Sequence, residues 1–214
     1  METTELKILV ADDHSIVRSG IINNLSTCLQ DAVFGEAENS SDVLRLFRED
    51  KWSLVILDIN MPGRSGLEVL KEIKESNSET PVIIFSMYPE DQFAVRAIKA
   101  GASAYLSKDI SAKELEKAVK SILNGEKYFT SSIVSLISNE LMDGHQKPVH
   151  TLLSDREHQV FLLIANGKNV SDIGRELSLS VKTISVYRSM ILKKMNLKNN
   201  SEITHYAFKY DLVE

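Results

Sequence analysis

Five short runs of apolar, largely β-branched residues, at 6–11, 32–35, 54–57, 82–85 and 104–106, punctuate the first half of this chain, and a segment with helical spacing follows each one. Runs of this kind read as strands buried on both faces. The segments between them gather Val17, Ile21 and Leu25, then Val43, Leu44 and Phe47, then Val69, Leu70 and Ile73, then Ala94, Ala97 and Ile98, and last Leu115, Val119 and Ile122, each set on one helical face. Such alternation predicts a doubly wound α/β fold, a five-stranded parallel sheet covered by helices on both sides.

The alternation stops after Gly125. Residues 131–142 have the spacing of one more helix, but no strand follows, and 143–151 (DGHQKPVHT) is a polar stretch with a glycine and a proline that reads as a linker. Everything beyond Leu152 is helical in pattern, with candidates at 155–166, 170–177, 181–195 and 201–210. Ser154 and Ser180 stand where N-caps are wanted, and Glu157 completes a capping box with Ser154. The expected organisation is an α/β domain at 1–125, a connection with a helix at 126–151, and a small all-α domain at 152–214.

Charge separates the two halves. Residues 1–147 carry 16 Lys+Arg against 23 Asp+Glu, and residues 148–214 carry 9 against 7, so an overall net charge of -5 divides into -7 and +2. The average conceals a C-terminal half compatible with a polyanion. The single cysteine, Cys28, excludes a disulfide framework, and the polar start of the chain lacks the pattern of a signal peptide. Location in the cytoplasm is expected, and no apolar run approaches the length of a membrane span.

In an open parallel sheet, ligands bind beyond the carboxyl ends of the strands. Here the first strand runs into Asp12 and Asp13, the third into Asp58, the fourth into Ser86, and the fifth into Ser107 and Lys108. Three converging carboxylates repel each other and call for a cation, and hard oxygen ligands suit Mg²⁺. Lys108 opposite them would pair with an anion that joins the metal.

These residues carry a resemblance. ILVADDH at 8–14, LVILDINMPGRSG at 54–66, Ser86, and AYLSK at 104–108 resemble the receiver domain of bacterial two-component response regulators, whose fold is flavodoxin-like. The resemblance implies that Asp58 is the phosphoacceptor, phosphorylated from a histidine kinase or a small phosphodonor. It implies that Asp13, Asp58 and the Asn60 backbone carbonyl hold Mg²⁺, that Asp12 acts through water, and that Lys108 grips the phosphoryl oxygens. Ser86 and Tyr105 would be the switch pair, Tyr105 rotating into space vacated as Ser86 is drawn toward the phosphoryl group. Asp109 follows Lys108 where many receivers have proline, and Tyr88 places bulk beside the pocket. His14 follows the acidic pair and is assigned no chemistry.

Residues 153–199 resemble the LuxR-type DNA-binding domain of the NarL/FixJ branch, with the BvgA/EvgA-like regulators as a candidate sub-branch. Val170, Ile173 and Leu177 give one helix a core face, SLS at 178–180 makes a turn, and Ile184, Tyr187, Ile191 and Met195 give the next helix its own. By family position Ser185, Val186 and Ser189 lie nearest base edges, while Lys182, Thr183, Tyr187, Arg188 and Lys193 suit phosphates. Tyr187 stands in place of the usual histidine, Ser185 of a frequent lysine, and Asn200 of arginine, so direct readout is expected to be modest.

The implied partners are double-stranded DNA, a sensor histidine kinase or phosphotransfer domain, a second copy in a homodimer, and RNA polymerase, with no membrane. Three other readings compete. An aspartate-nucleophile phosphatase would want a second acid two residues after the nucleophile, where Asn60 stands. A phosphorylation-independent DNA-binding regulator would not need Asp12, Asp13, Asp58, Ser86 and Lys108 together. A helical bundle that binds protein would use the same C-terminal surface.

Overall fold

A computed structural model describes residues 5–142 and 148–213. The chain divides into two compact units, Met1–Met142 and Asp143–Glu214. Of the stretch expected to link them, residues 143–147 lie outside the described residues, and Val149–Leu152 form a short 3-10 turn.

In the first unit β1 (Lys7–Ala11), β2 (Val33–Ala37), β3 (Leu54–Leu57), β4 (Val82–Ser86) and β5 (Ala104–Ser107) form one parallel sheet in the order β2-β1-β3-β4-β5. β1 pairs with both β2 and β3, as in Ile8 with Phe34 and Leu54. The central strands are apolar without alternation because both faces are covered. Ile8, Val10, Leu54, Ile56, Ile83, Phe85 and Leu106 pack against Ile21 and Leu25 of α1 (Ser15–Cys28) and Leu115, Val119 and Ile122 of α5 (Ala112–Leu123). Successive strand residues point to opposite faces, so Leu9, Val55, Leu57, Ile84 and Tyr105, all fully buried, turn to the other side. That side is covered by α2 (Ser40–Glu49), α3 (Gly66–Ser76) and α4 (Glu90–Lys99).

The first turn of α3 lies against the end of β3. Ser65 and Glu68 form a reciprocal capping box, and the Gly66 amide donates to the Ile59 carbonyl at 2.9 Å. A Cβ on residue 66 would collide with the Asp58 carbonyl, so only glycine lets the helix start there. This close approach fixes the backbone that carries Asp58.

α6 (Ser131–Met142) packs on α4. Ile133 is fully buried, Thr130 Oγ1 donates to the Glu90 carboxylate at 3.0–3.1 Å, and Lys99 pairs with Glu140.

In the second unit α7 (Asp155–Ala165) packs against α9 (Val181–Met195) and α10 (Asn200–Lys209), and α8 (Val170–Glu176) packs against α9. The buried apolar set includes Val160, Phe161, Ile164, Ile173, Leu177, Ile184, Ile191, Met195, Ile203 and Ala207. The α8–α9 turn is tight. Ser178 adopts a left-handed conformation with φ 53°, and the Leu179 amide donates to the Gly174 carbonyl at 2.8 Å. A Cβ at Gly174 would meet the Leu179 carbonyl at 2.8 Å, so a side chain there would open the turn. Ser180 then caps α9 by accepting from the Thr183 amide, an interaction worth about 1 kcal/mol. Among the described residues no helix is long and apolar enough to cross a membrane.

Candidate functional site

The carboxyl ends of β1, β3, β4 and β5 converge on one acidic pocket. Asp12 and Asp58 are buried, and the Asp58 amide donates to the Ala11 carbonyl at 2.9 Å, tying the ends of β1 and β3 together. The Lys108 amide donates to the Ser86 carbonyl at 2.9 Å, which ties β5 to β4. No peptide bond among the described residues is cis, so the link from Lys108 to Asp109 is trans.

Within the pocket Lys108 Nζ lies 2.6 Å from Asp12 Oδ2 and 2.8 Å from Asp58 Oδ2. Asp58 Oδ1, also buried, has no hydrogen-bond partner among the described residues. Burial pushes the Asp58 carboxyl up to about 6; Lys108 opposes the rise and Asp12 adds to it. Burial pulls the Lys108 ammonium down, but the attraction of Asp58 and Asp12 outweighs it and the net shift is upward.

Asp13 is half-buried beside this pair. His14 Nδ1 lies 2.8 Å from Asp13 Oδ1 and 3.3 Å from Asp12 Oδ1, and the His14 amide donates to Asp12 Oδ1 at 2.9 Å. Asp12, Asp13 and His14 place possible ligand atoms within 4.8 Å of one another. Asn60 lies in the loop from Asp58 to α3. Excess negative charge, hard oxygen donors and an unpartnered buried carboxylate oxygen suit a divalent cation such as Mg²⁺.

Ser86 and Tyr105 are both fully buried. Ser86 Oγ accepts from the Tyr88 amide at 3.2 Å, while the Tyr105 hydroxyl donates to the Tyr88 carbonyl at 2.7 Å. Tyr105 thus already holds an inward position, and burial pushes its phenol strongly upward, keeping it a neutral donor. Tyr88, noted from sequence only for its bulk, is the backbone link between the two expected switch residues.

A second candidate surface lies on α9. Ser185, Val186, Ser189, Lys182 and Lys193 are exposed, whereas Thr183, Tyr187 and Arg188 are half-buried. Thr183 Oγ1 sits 2.7 Å from Ser180 Oγ at the helix cap. Arg188 Nε donates to Asn200 Oδ1 at 2.6 Å, so the asparagine at the start of α10 orients the guanidinium. Sequence reasoning noted Asn200 only as a departure and did not foresee this contact. Met190, absent from the expected contact set, shares the exposed face with Val186.

Comparison with known proteins gives consistent matches to both units. Residues 8–120 match the response regulator receiver domain, and residues 151–207 match the bacterial regulatory proteins of the luxR family. The chain is 31% identical to response regulator UvrY of Escherichia coli K12, over 97% of this chain and 95% of UvrY. It is 33% identical to response regulator GacA of Pseudomonas aeruginosa, over 98% of each chain. A solved complex of the two-component response regulator RcsB with DNA is similar at 25% identity and a TM-score of 0.59, covering 95% of this chain and 98% of that one.

Proposed function

This chain belongs to the two-component response regulators of the NarL/FixJ family, a receiver followed by a LuxR-type helix-turn-helix, and from that premise we propose that Asp58 is its phosphoacceptor. Its luxR-family match and its response-regulator relatives support reading it as a DNA-binding transcription regulator, with phosphoryl chemistry confined to its own receiver. We divide it into a receiver at 1–125, a connection at 126–151 and a DNA-binding domain at 152–214.

The observation that carries this assignment is the free Asp58 Oδ1 beside an ammonium shared with Asp12. Oδ1 attacks the phosphorus of a phosphohistidine from a sensor kinase or phosphotransfer domain; the O–P bond forms, the P–N bond breaks, and the imidazole leaves with a proton. Lys108 stabilises the charge on the phosphoryl oxygens. Asp13, Asp58 and the Asn60 carbonyl would hold Mg²⁺, with Asp12 acting through water, and the bound ion would supply the remaining charge neutralisation. The product adds nearly two negative charges and three acceptor oxygens next to Ser86, whose hydroxyl turns to them and releases its hold on the Tyr88 amide. Tyr105, bonded to the same residue, transmits the change.

The RcsB relative solved with DNA supports the other half of the reading. α9 enters the major groove, with Ser185, Val186 and Ser189 nearest base edges and Lys182, Thr183, Tyr187, Arg188 and Lys193 toward phosphates. A single domain of this size makes few contacts, so a phosphorylation-stabilised homodimer on paired half-sites supplies the affinity. The protein acts in the cytoplasm, with RNA polymerase as the machinery it influences.

Labelling with acetyl phosphate and Mg²⁺ tests the assignment. The wild-type chain takes up one acid-stable, base-labile phosphoryl group and Asp58→Ala none; undiminished labelling of the variant would place the acceptor elsewhere.

A further inference from the structure

On α9 the residues Lys182, Ser185, Val186, Ser189, Met190 and Lys193 line one shallow groove of about 380 Å³. Their spacing, alternating steps of three and one, makes a single stripe along the helix. The core needs of α9 are met elsewhere, by the buried Ile184, Ile191 and Met195. Val186 and Met190 are nevertheless 52% and 40% exposed at the middle of the stripe. Two apolar side chains in that position, with a lysine at either end, match a surface that is anionic at its edges and apolar at its centre.

The serines beside them are chemically constrained. Ser185 Oγ donates to the Val181 carbonyl and Ser189 Oγ to the Ser185 carbonyl, both at 2.9 Å. A hydroxyl has one proton, and both are used within the helix. Neither serine, in this arrangement, donates to the acceptors of guanine, and no residue at the centre of the stripe carries a two-donor fork. Each hydroxyl can still accept, from adenine N6 or cytosine N4, so the apolar pair is what can recognise a base edge without a hydrogen bond.

We propose that Met190, together with Val186, reads the C5-methyl group of thymine in the major groove, making Met190 a specificity-determining residue. This rests on the DNA-binding reading above. The thymine methyl is the apolar group that B-form base pairs present on the major-groove floor. Lys182 and Lys193 meet the phosphates that border it. The unbranched thioether of Met190 adapts to a methyl at more than one height, so a thymine-bearing step, more than a single fixed base, is the preferred target.

The test uses the full-length, phosphorylated protein. Binding-site selection on random duplex DNA yields a preferred operator, and each thymine in one half-site is then replaced by deoxyuridine, which deletes the methyl and leaves pairing intact. At one or two positions wild type should lose about fourfold in affinity, the scale of one buried methyl group. Met190→Ala should bind the parent operator more weakly and lose that sensitivity at one of those positions, whereas Met190→Leu should keep it. A melting curve for each variant guards against misfolding, which the exposure of the residue argues against. Full methyl sensitivity retained in Met190→Ala, or no sensitive thymine in wild type, would overturn the proposal. Failure to select any duplex sequence is a different result, and it would overturn the DNA-binding reading as well.

Discussion

Lys108 Nζ stands 2.8 Å from Asp58 Oδ2 and closes the pocket around the carboxylate it is expected to serve. The same ammonium lies 2.6 Å from Asp12, so one positive charge from the end of β5 holds two carboxylates, from the ends of β1 and β3. The arrangement leaves net negative charge buried, and its consequences are measurable before any phosphoryl group arrives.

The first consequence is a pH-dependent stability. Asp58 titrates near 6 in the folded chain against an ordinary 3.8, so the folded state holds its proton more tightly than the unfolded state. Stability from this group is full below about pH 4 and is lost as pH rises through 6. At pH 8 without divalent metal, Asp58→Asn should therefore be more stable than wild type by about 2–3 kcal/mol, a gain that vanishes near pH 4. Urea unfolding at the two pH values checks this.

Lys108→Ala removes the shared cation and leaves two buried carboxylates facing each other. A loss of about 3 kcal/mol is expected at pH 8, smaller at pH 6 where Asp58 takes up a proton. Saturating Mg²⁺ should restore part of it. Denaturation with and without the metal is the check, together with acetyl phosphate labelling, which should drop sharply.

Asp13→Ala should weaken Mg²⁺ binding at least tenfold, because the proposed direct carboxylate ligand would be lost while Asp12 and Asp58 remain. Calorimetric titration of the unphosphorylated chain measures it. Unchanged affinity would move the metal away from this pocket.

On α9, Lys182→Ala should weaken binding to all duplex sequences alike and flatten the dependence on salt by about one unit. Arg188→Ala should do the same. Asn200→Ala frees the guanidinium from its 2.6 Å contact and should cost part of what Arg188→Ala costs. Affinities across a salt series separate the three.

The parallel sheet was legible because strands buried on both faces leave continuous apolar runs, and β3 was expected at its observed limits of Leu54–Leu57. The edge strand was read less well. Expected at 32–35, β2 spans Val33–Ala37, because Glu36 faces solvent and interrupts the apolar signal. Arg18 was missed on the inner face of α1: its guanidinium is buried, donating to the Asp12 carbonyl at 2.8 Å and pairing with Glu36 and Glu38, a long-range arrangement that helical spacing does not encode. Tyr187, expected in the core, is half-buried, while Ile184, Ile191 and Met195 fill the interior. In the pocket, residue types at strand ends announced Asp12, Asp13, Asp58 and Lys108 together. That Lys108 bridges Asp12 and Asp58, and that Tyr88 joins Ser86 to Tyr105, depends on how strands and loops meet in space.

The central claim, that one phosphoryl group on Asp58 controls DNA binding, is tested most directly by operator affinity of the full chain before and after treatment with acetyl phosphate and Mg²⁺. Wild type should bind a two-half-site operator at least tenfold more tightly once phosphorylated, with a matching rise in dimer, while Asp58→Ala stays at the unphosphorylated value. Equal affinity in all these states, or an equal gain in Asp58→Ala, would contradict the account.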